Sequence, residues 1–253
     1  MKPIIRMHAI HKNFGGVQAL KNVNLDIHGG EVVALLGHNG AGKSVLVQIL
    51  SGVFLPTSGS IEVEGRSARF SSPRDARAAH IETIYQTLAL AENLDATANF
   101  FLGREIKNRF GFLDNRAMRS IAQENICKLN ANFELTRSPV RNLSGGQRQA
   151  IAIARAVYFK ARILVMDEPT AALGPHETEQ VVMTINNLRD HGLGILLVSH
   201  DLNDVFRLAD RVVVLKGGQV VGSGDCANLS MDDVLHMIVA GTPVFTQTSQ
   251  TPA

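Results

Sequence analysis

The sequence predicts an α/β fold: a parallel sheet carries most of the core, an antiparallel β-subdomain precedes it, and a helical subdomain is inserted between core strands. Three observations predict it. Partly alternating β-rich runs fill the first third, as at residues 21–27 and 31–36. Helical patterning dominates residues 88–161. After that, short apolar runs alternate with helical segments, the pattern of a parallel sheet whose strands are joined by helices.

Taken in order, residues 21–27 and 31–36 are separated by the turn His28-Gly29-Gly30, and the second run ends directly at a glycine-rich loop. Residues 42–50 then suit a helix. Pro56-Thr57-Ser58-Gly59 is turn chemistry, and residues 60–64 alternate like an outer strand. A short strand over 81–85 ends at Gln86. Within the inserted region, Met118, Ile121, Ile126 and Leu129 recur at near-helical spacing over residues 116–129. The sheet pattern resumes at 162–166 and continues through a helix over 175–190 to a strand over 194–198. It closes with a hairpin, 211–215 and 219–221 about the turn Lys216-Gly217-Gly218. Residues 1–241 read as one domain, with its helical subdomain at about 88–161. Residues 242–253, polar and rich in Pro, Thr and Gln, read as a disordered tail.

A chain of 253 residues buries a substantial core but does not hold two such domains. The net charge of +2, with 19% charged residues, sets up no global basic field, so nucleic acid is not an expected partner. Cys127 and Cys226 make no disulfide framework and lie at no zinc-ligand spacing, which predicts reduced thiols. The opening residues lack the apolar region of a secretory signal, and no window approaches the roughly 18 apolar residues of a membrane span. A soluble chain that meets a membrane only through a partner is the expectation.

The chemistry concentrates in three places. Gly37-His38-Asn39-Gly40-Ala41-Gly42-Lys43-Ser44 fits G-x-x-x-x-G-K-S/T and sits between a strand and a helix. That context puts Lys43 and Ser44 in a first helical turn, where free N–H groups and the helix dipole favour phosphate. Lys43 then reaches β/γ oxygens and the Ser44 hydroxyl suits Mg²⁺. His38 is a variable position of the loop with no catalytic part. Asp167 closes an apolar strand, a position suited to a metal-ligating carboxylate, and Glu168 beside it suits a general base for water. Ser144, Gly145 and Gly146, with Gln147, open a helix rich in alanine and isoleucine, a second anion-binding terminus.

The glycine loop, LSGGQRQ at 143–149 and ILVMDEP at 163–169, in this order, resemble the ATP-binding-cassette (ABC) ATPases over nearly the whole chain. The resemblance implies a P-loop NTPase core with a signature-bearing helical subdomain, and ATP and Mg²⁺ as cofactors. It implies a dimer with a second cassette, identical or different, in which ATP lies between residues 37–45 of one chain and Ser144–Gln147 of the other. It makes His200, within SHD, the γ-phosphate contact, and Gln86 a metal and water ligand at a hinge. Phe14 takes the place of the family's adenine-stacking ring. The implied catalytic set is Lys43, Gln86, Glu168 and His200, and the metal set Ser44, Gln86 and Asp167. Two positions depart from the family. Val45 stands where Thr is frequent and forgoes a hydrogen bond of roughly 0.5–1.5 kcal/mol. Gly174 stands where Asp is usual and lacks a carboxylate that helps couple the two sites, so slower or less coupled hydrolysis is expected.

Residues 12–44, the segment NFFLGRE and SHDLNDVFRLADRVVVLKGG look most like the monosaccharide importers of ribose, xylose and fructose type, in single-cassette form. This implies transmembrane permease subunits as partners and a periplasmic sugar-binding protein acting indirectly. It also implies a peripheral position on the cytoplasmic face of the bacterial inner membrane. Branched-chain amino-acid importers, and soluble ABC ATPases acting on nucleic acid or ribosomes, are the alternatives the sequence leaves open.

Overall fold

Strands β3 (Val32–Leu36) and β8 (Gly194–Val198) have no polar face: every residue of both is buried. A strand of that kind belongs inside a sheet covered on both sides. In the computed structural model, which describes residues 2–130, 133–171 and 173–242, both lie inside a six-stranded sheet. With β6 (Ile81–Ile84), β7 (Ile163–Asp167) and β9 (Arg211–Lys216) they run parallel in the order β9-β3-β8-β7-β6. The hairpin strand β10 (Gln219–Asp225) pairs antiparallel with β9 at the edge. Because side chains alternate across a strand, Val33 and Leu35 enter one core while Val32, Ala34 and Leu36 enter another.

The first core is roofed by an antiparallel sheet of β1 (Ile5–Phe14), β2 (Val17–Ile27), β4 (Ser58–Val63) and β5 (Arg66–Ala68), in the order β2-β1-β4-β5. Helix α1 (Lys43–Leu50) shares that core through Leu46, Val47, Ile49 and Leu50. The second core takes its helical side from α5 (Gly145–Tyr158), α6 (Pro175–Asp190), α7 (Leu202–Leu208) and α8 (Met231–Ala240). A third lies in the inserted region. There Phe100 and Phe101 of α3 (Ala96–Phe101) pack with Met118, Ala122 and Ile126 of α4 (Asn115–Cys127) and with Ile151 of α5.

The inserted region is less helical than its patterning predicts. Between α3 and α4 the chain turns through Asn108 and Gly111, the latter at φ +83°. Before α5, Pro139 leads only into a single 3₁₀ turn. Turn residues there outweigh the apolar periodicity of the flanking helices. The expected turn over 56–59 yields two residues to β4, and the last strand runs on to Asp225. Helices α2 (Pro73–Ala78), α7 and α8 were not expected; the first two span only six and seven residues, too short for a periodic signal. The predicted tail, from residue 243 on, lies outside the described residues.

Cys127 and Cys226 are both free thiols, and burial pushes Cys226 up to about 11, the mark of an unreactive structural residue. Among the described residues no helix is long and apolar enough to cross a membrane. The central sheet makes a direct stability prediction. Leu164 of β7 is fully buried in the second core, so Leu164→Ala is expected to cost about 2–5 kcal/mol in urea unfolding. A cost near zero would show that this layer is not packed as described.

Candidate functional site

The site begins where β3 stops. Gly37 turns the chain at φ +144°, and a Cβ there would stand 2.2 Å from the carbonyl oxygen of Leu215 in the neighbouring strand. Five residues on, Gly42 adopts φ +108° as the N-cap of α1, with a would-be Cβ 2.8 Å from Leu20. Only glycine fits at either place. These two approaches pull the loop tight and set the N-terminus of α1 against the end of β3. The helix starts without a side-chain cap, so amides of its first turn remain for a ligand. Lys43 folds back over the loop, its Nζ donating to the carbonyls of Gly37 at 2.5 Å and His38 at 3.2 Å.

An open cleft of about 640 Å³ lies at the C-terminal end of the parallel strands. It brings together Gly37, His38, Asn39, Lys43, Ser44, Gln86, Asp167, Glu168 and His200, so all the expected catalytic and metal-binding residues face one space. Its chemistry is a competition of half-buried charges. Burial raises the Asp167 carboxyl above its ordinary value, Glu168 next to it raises it further, and Lys43 opposes. Burial lowers the Lys43 ammonium despite the two carboxylates. One cation facing two acids leaves room for a second positive charge. Asp167, the Ser44 hydroxyl and the Gln86 amide form an all-oxygen donor set of the kind a hard divalent cation takes.

Glu168 sits in the left-handed region at φ +52°, unusual for a residue with a side chain. Its amide donates to the Val198 carbonyl at 2.8 Å, which ties the turn to β8. Its carboxylate accepts from His200 Nδ1 at 2.8 Å. That hydrogen bond and the charge of Glu168 raise the His200 pKa above its ordinary value.

Gly40, Ala41, Gly42 and Val45 line a second groove, of about 480 Å³, on the other side of the loop. Val17, Gln18, Ala19 and Lys21 of β2 form its far wall, with Gly217-Gly218 from the β9–β10 turn. Phe14 is not among these lining residues. It pairs with Val17 across the β1–β2 hairpin, stands edge-on to Phe54 at 5.1 Å, and carries the Lys12 ammonium 4.9 Å from its ring centre. Val17 itself is two-thirds exposed on the groove, a feature that an isolated valine in a sequence does not signal.

Helix α5 opens here as expected, and Ser144 caps it: its Oγ accepts from Gln147 N at 3.3 Å, and Gln147 Oε1 accepts from Ser144 N at 3.0 Å. Ser144, Gly145, Gly146 and Gln147 line neither cavity. Within one chain the predicted site therefore stands in two separate parts. Sequence reasoning missed Leu202, Leu235 and Ile238, which line the cleft from α7 and α8. The capping box of Ser230 and Asp233 before an apolar run was the available signal for α8.

Residues 20–171 match the ABC transporter family, a span that takes in the glycine loop, Gln86, the signature segment and Asp167-Glu168. The chain belongs to this family. It is 45% identical over 221 residues to the xylose/arabinose import ATP-binding protein XylG of Sulfolobus acidocaldarius, covering 87% of this chain and 88% of that one. It is 44% identical over 242 residues to the ribose import ATP-binding protein RbsA of Yersinia pestis, covering 96% of this chain and 47% of that one. The chain thus spans about half the length of the ribose-import relatives. Among solved structures, a dimeric ATP-binding cassette in a post-hydrolysis state with ADP and Pi superposes with TM-score 0.73 at 27% identity, over 88% of this chain and 98% of that one. A cassette in its ADP conformation gives TM-score 0.81 over 95% of this chain and 100% of that one, and at 24% identity it speaks for the fold alone.

The ion pair makes a pH prediction with a definite sign. A histidine pKa raised by folding contributes stability that is full below about 6.5 and is lost as pH rises through the raised value. By NMR titration His200 is expected to titrate above the ordinary histidine value, and Glu168→Gln to bring it back down. An unchanged titration in that variant would break the link between the two residues.

Proposed function

We propose that the chain is the ATP-hydrolysing subunit of a membrane importer for a monosaccharide. The family supports ATP binding and hydrolysis, and the named import activities of its relatives support the substrate class. In this reading the β- and γ-phosphates lie at the first turn of α1, and Lys43 exchanges the carbonyls of Gly37 and His38 for phosphate oxygens. Ser44, Asp167 and Gln86 would hold Mg²⁺, which when bound would supply positive charge to offset that of the phosphate oxygens. Glu168 takes a proton from the attacking water, and His200 passes from Glu168 to the γ-phosphate. The base moiety lies along the groove of Val17, with Phe14 at its hairpin partner position. Ser144–Gln147 of a second cassette, identical or different, close the site from the other side.

The observation that carries the transport reading is the loop after β6. Gln86 faces the nucleotide cleft, while Tyr85, Leu88, Ala89 and Leu90 line a separate groove of about 590 Å³ between the core and the inserted helices. Leu88 and Ala89 hold φ of +57° and +46°, so this short segment is conformationally constrained as well as shared. A change at Gln86 is felt in the groove, and whatever sits in the groove biases the cleft. We assign the groove to cytoplasmic segments of permease subunits. The chain is then a peripheral protein on the cytoplasmic face of the membrane, and the periplasmic sugar-binding protein acts on it only through the permease. Val45 weakens nucleotide binding, and Gly174 loosens the coupling between sites.

Purifying the tagged chain from detergent-solubilised native membranes tests this reading. Recovery with a multispanning permease and Mg²⁺-dependent ATPase activity is expected. In the same preparation Glu168→Gln should bind ATP but turn over roughly 10²- to 10⁴-fold more slowly. Recovery only from the soluble fraction, or undiminished turnover by the variant, would contradict it.

A further inference from the structure

The N-terminus of α5 is already covered by its own chain. Gly146 N donates to Glu177 Oε1 at 3.4 Å, and the same carboxylate accepts from Gly174 N through Oε2 at 3.3 Å. A Cβ built on Gly146 would meet Glu177 Cγ at 3.2 Å, and one on Gly145 would meet Leu173 Cδ2 at 2.8 Å. The segment 173–177, which begins five residues after Glu168, therefore packs directly over the first turn of the signature helix. The carboxylate is held below its ordinary value, first by the Gly174 amide and then by the Ser144 hydroxyl and the Gly146 amide. Glu177 thus stays ionised and bonded at the terminus where a second cassette's phosphate is expected.

We propose that Glu177 is a positioning residue that holds the signature terminus in the resting chain and is displaced by the γ-phosphate presented by the second cassette. The proposal rests on the ATP-bridged dimer of the preceding reading. One amide hydrogen has room for one strong acceptor, so carboxylate and phosphate compete for Gly146 N. Both carboxylate bonds are longer than the 2.7–2.9 Å of a strong charge-assisted bond, so the seat is held weakly enough to be taken by a more highly charged anion. Displacement frees the carboxylate from Gly174 as well. Loading of the signature is thereby transmitted to the segment that follows Asp167-Glu168 in the same chain. This gives each cassette a means of sensing its partner's nucleotide with no residue at 174 beyond glycine.

The competing explanation is that Glu177 merely caps α6, whose N-cap is Gly174. The two differ in the sign of one measurement. In the slowly hydrolysing Glu168→Gln background, ATP-driven dimerisation is followed by sedimentation as ATP is added with Mg²⁺, with and without Glu177→Gln. Displacement predicts that Glu177→Gln lowers the ATP concentration at half-dimerisation by about fivefold, the worth of one ordinary hydrogen bond. A capping role alone predicts a lower melting temperature with an unchanged or raised ATP requirement, and that result overturns the proposal. Should Glu168→Gln itself form no ATP-dependent dimer, the underlying reading fails and takes the proposal with it. A dimer that forms with an ATP requirement insensitive to Glu177→Gln rejects the proposal alone.

Discussion

The rest of the structure depends on the close approach of Gly37 to Leu215 and of Gly42 to Leu20. These contacts force β3 to end and α1 to begin within six residues, with no side chain in the way. The helix then points its uncapped first turn at the space beyond the sheet. All other site residues reach that space because parallel strands deliver their C-terminal ends to the same side: Asp167 from β7, Ser199 and His200 after β8, and Gln86 after β6. A buried, two-faced sheet is thus what aligns residues more than a hundred positions apart.

The charges at this edge are held in imbalance. Asp167 and Lys43 are both shifted toward their neutral forms by burial, and Glu168 is tethered to His200. In the proposed function, a nucleotide with its cation would bring both missing signs at once: phosphate for Lys43 and the α1 amides, divalent charge for Asp167. The same principle operates at the distant signature terminus, where Glu177 supplies a weak internal anion. Both ends of the split site are occupied by substitutes from the chain itself, the loop carbonyls under Lys43 and the carboxylate over Gly146. In the proposed dimer, loading would exchange internal contacts for stronger intermolecular ones.

Much of this was legible in the sequence because glycine spacing and strand-end acids are local statements. The turn at Gly37–Ser44, the strand ending in Asp167 and the helix opening at Ser144–Gly146 each follow from a few adjacent residues, and the structure has each element there. What escaped depends on distant packing. The contribution of Leu235 and Ile238 to the cleft requires α8 to fold back near β9, where Lys216 Nζ donates to the Val239 carbonyl. Phe14 was read by position alone, whereas its surroundings are set by Phe54 and Lys12, forty and two residues away. The Glu177 contact was invisible because it joins the first turns of two helices, at residues thirty-one apart, whose meeting only the packing of α5 against α6 determines.

In the proposed dimer, one nucleotide is shared between the glycine loop of one chain and the signature helix of another. A crystal structure of the Glu168→Gln variant with ATP and Mg²⁺ tests it most directly. Two chains are expected, with each γ-phosphate between Lys43 of one and Ser144–Gly146 of the other. A nucleotide-bound structure in which Ser144–Gly146 of every chain face solvent or their own Glu177, with ATP held by a single cassette, would contradict it.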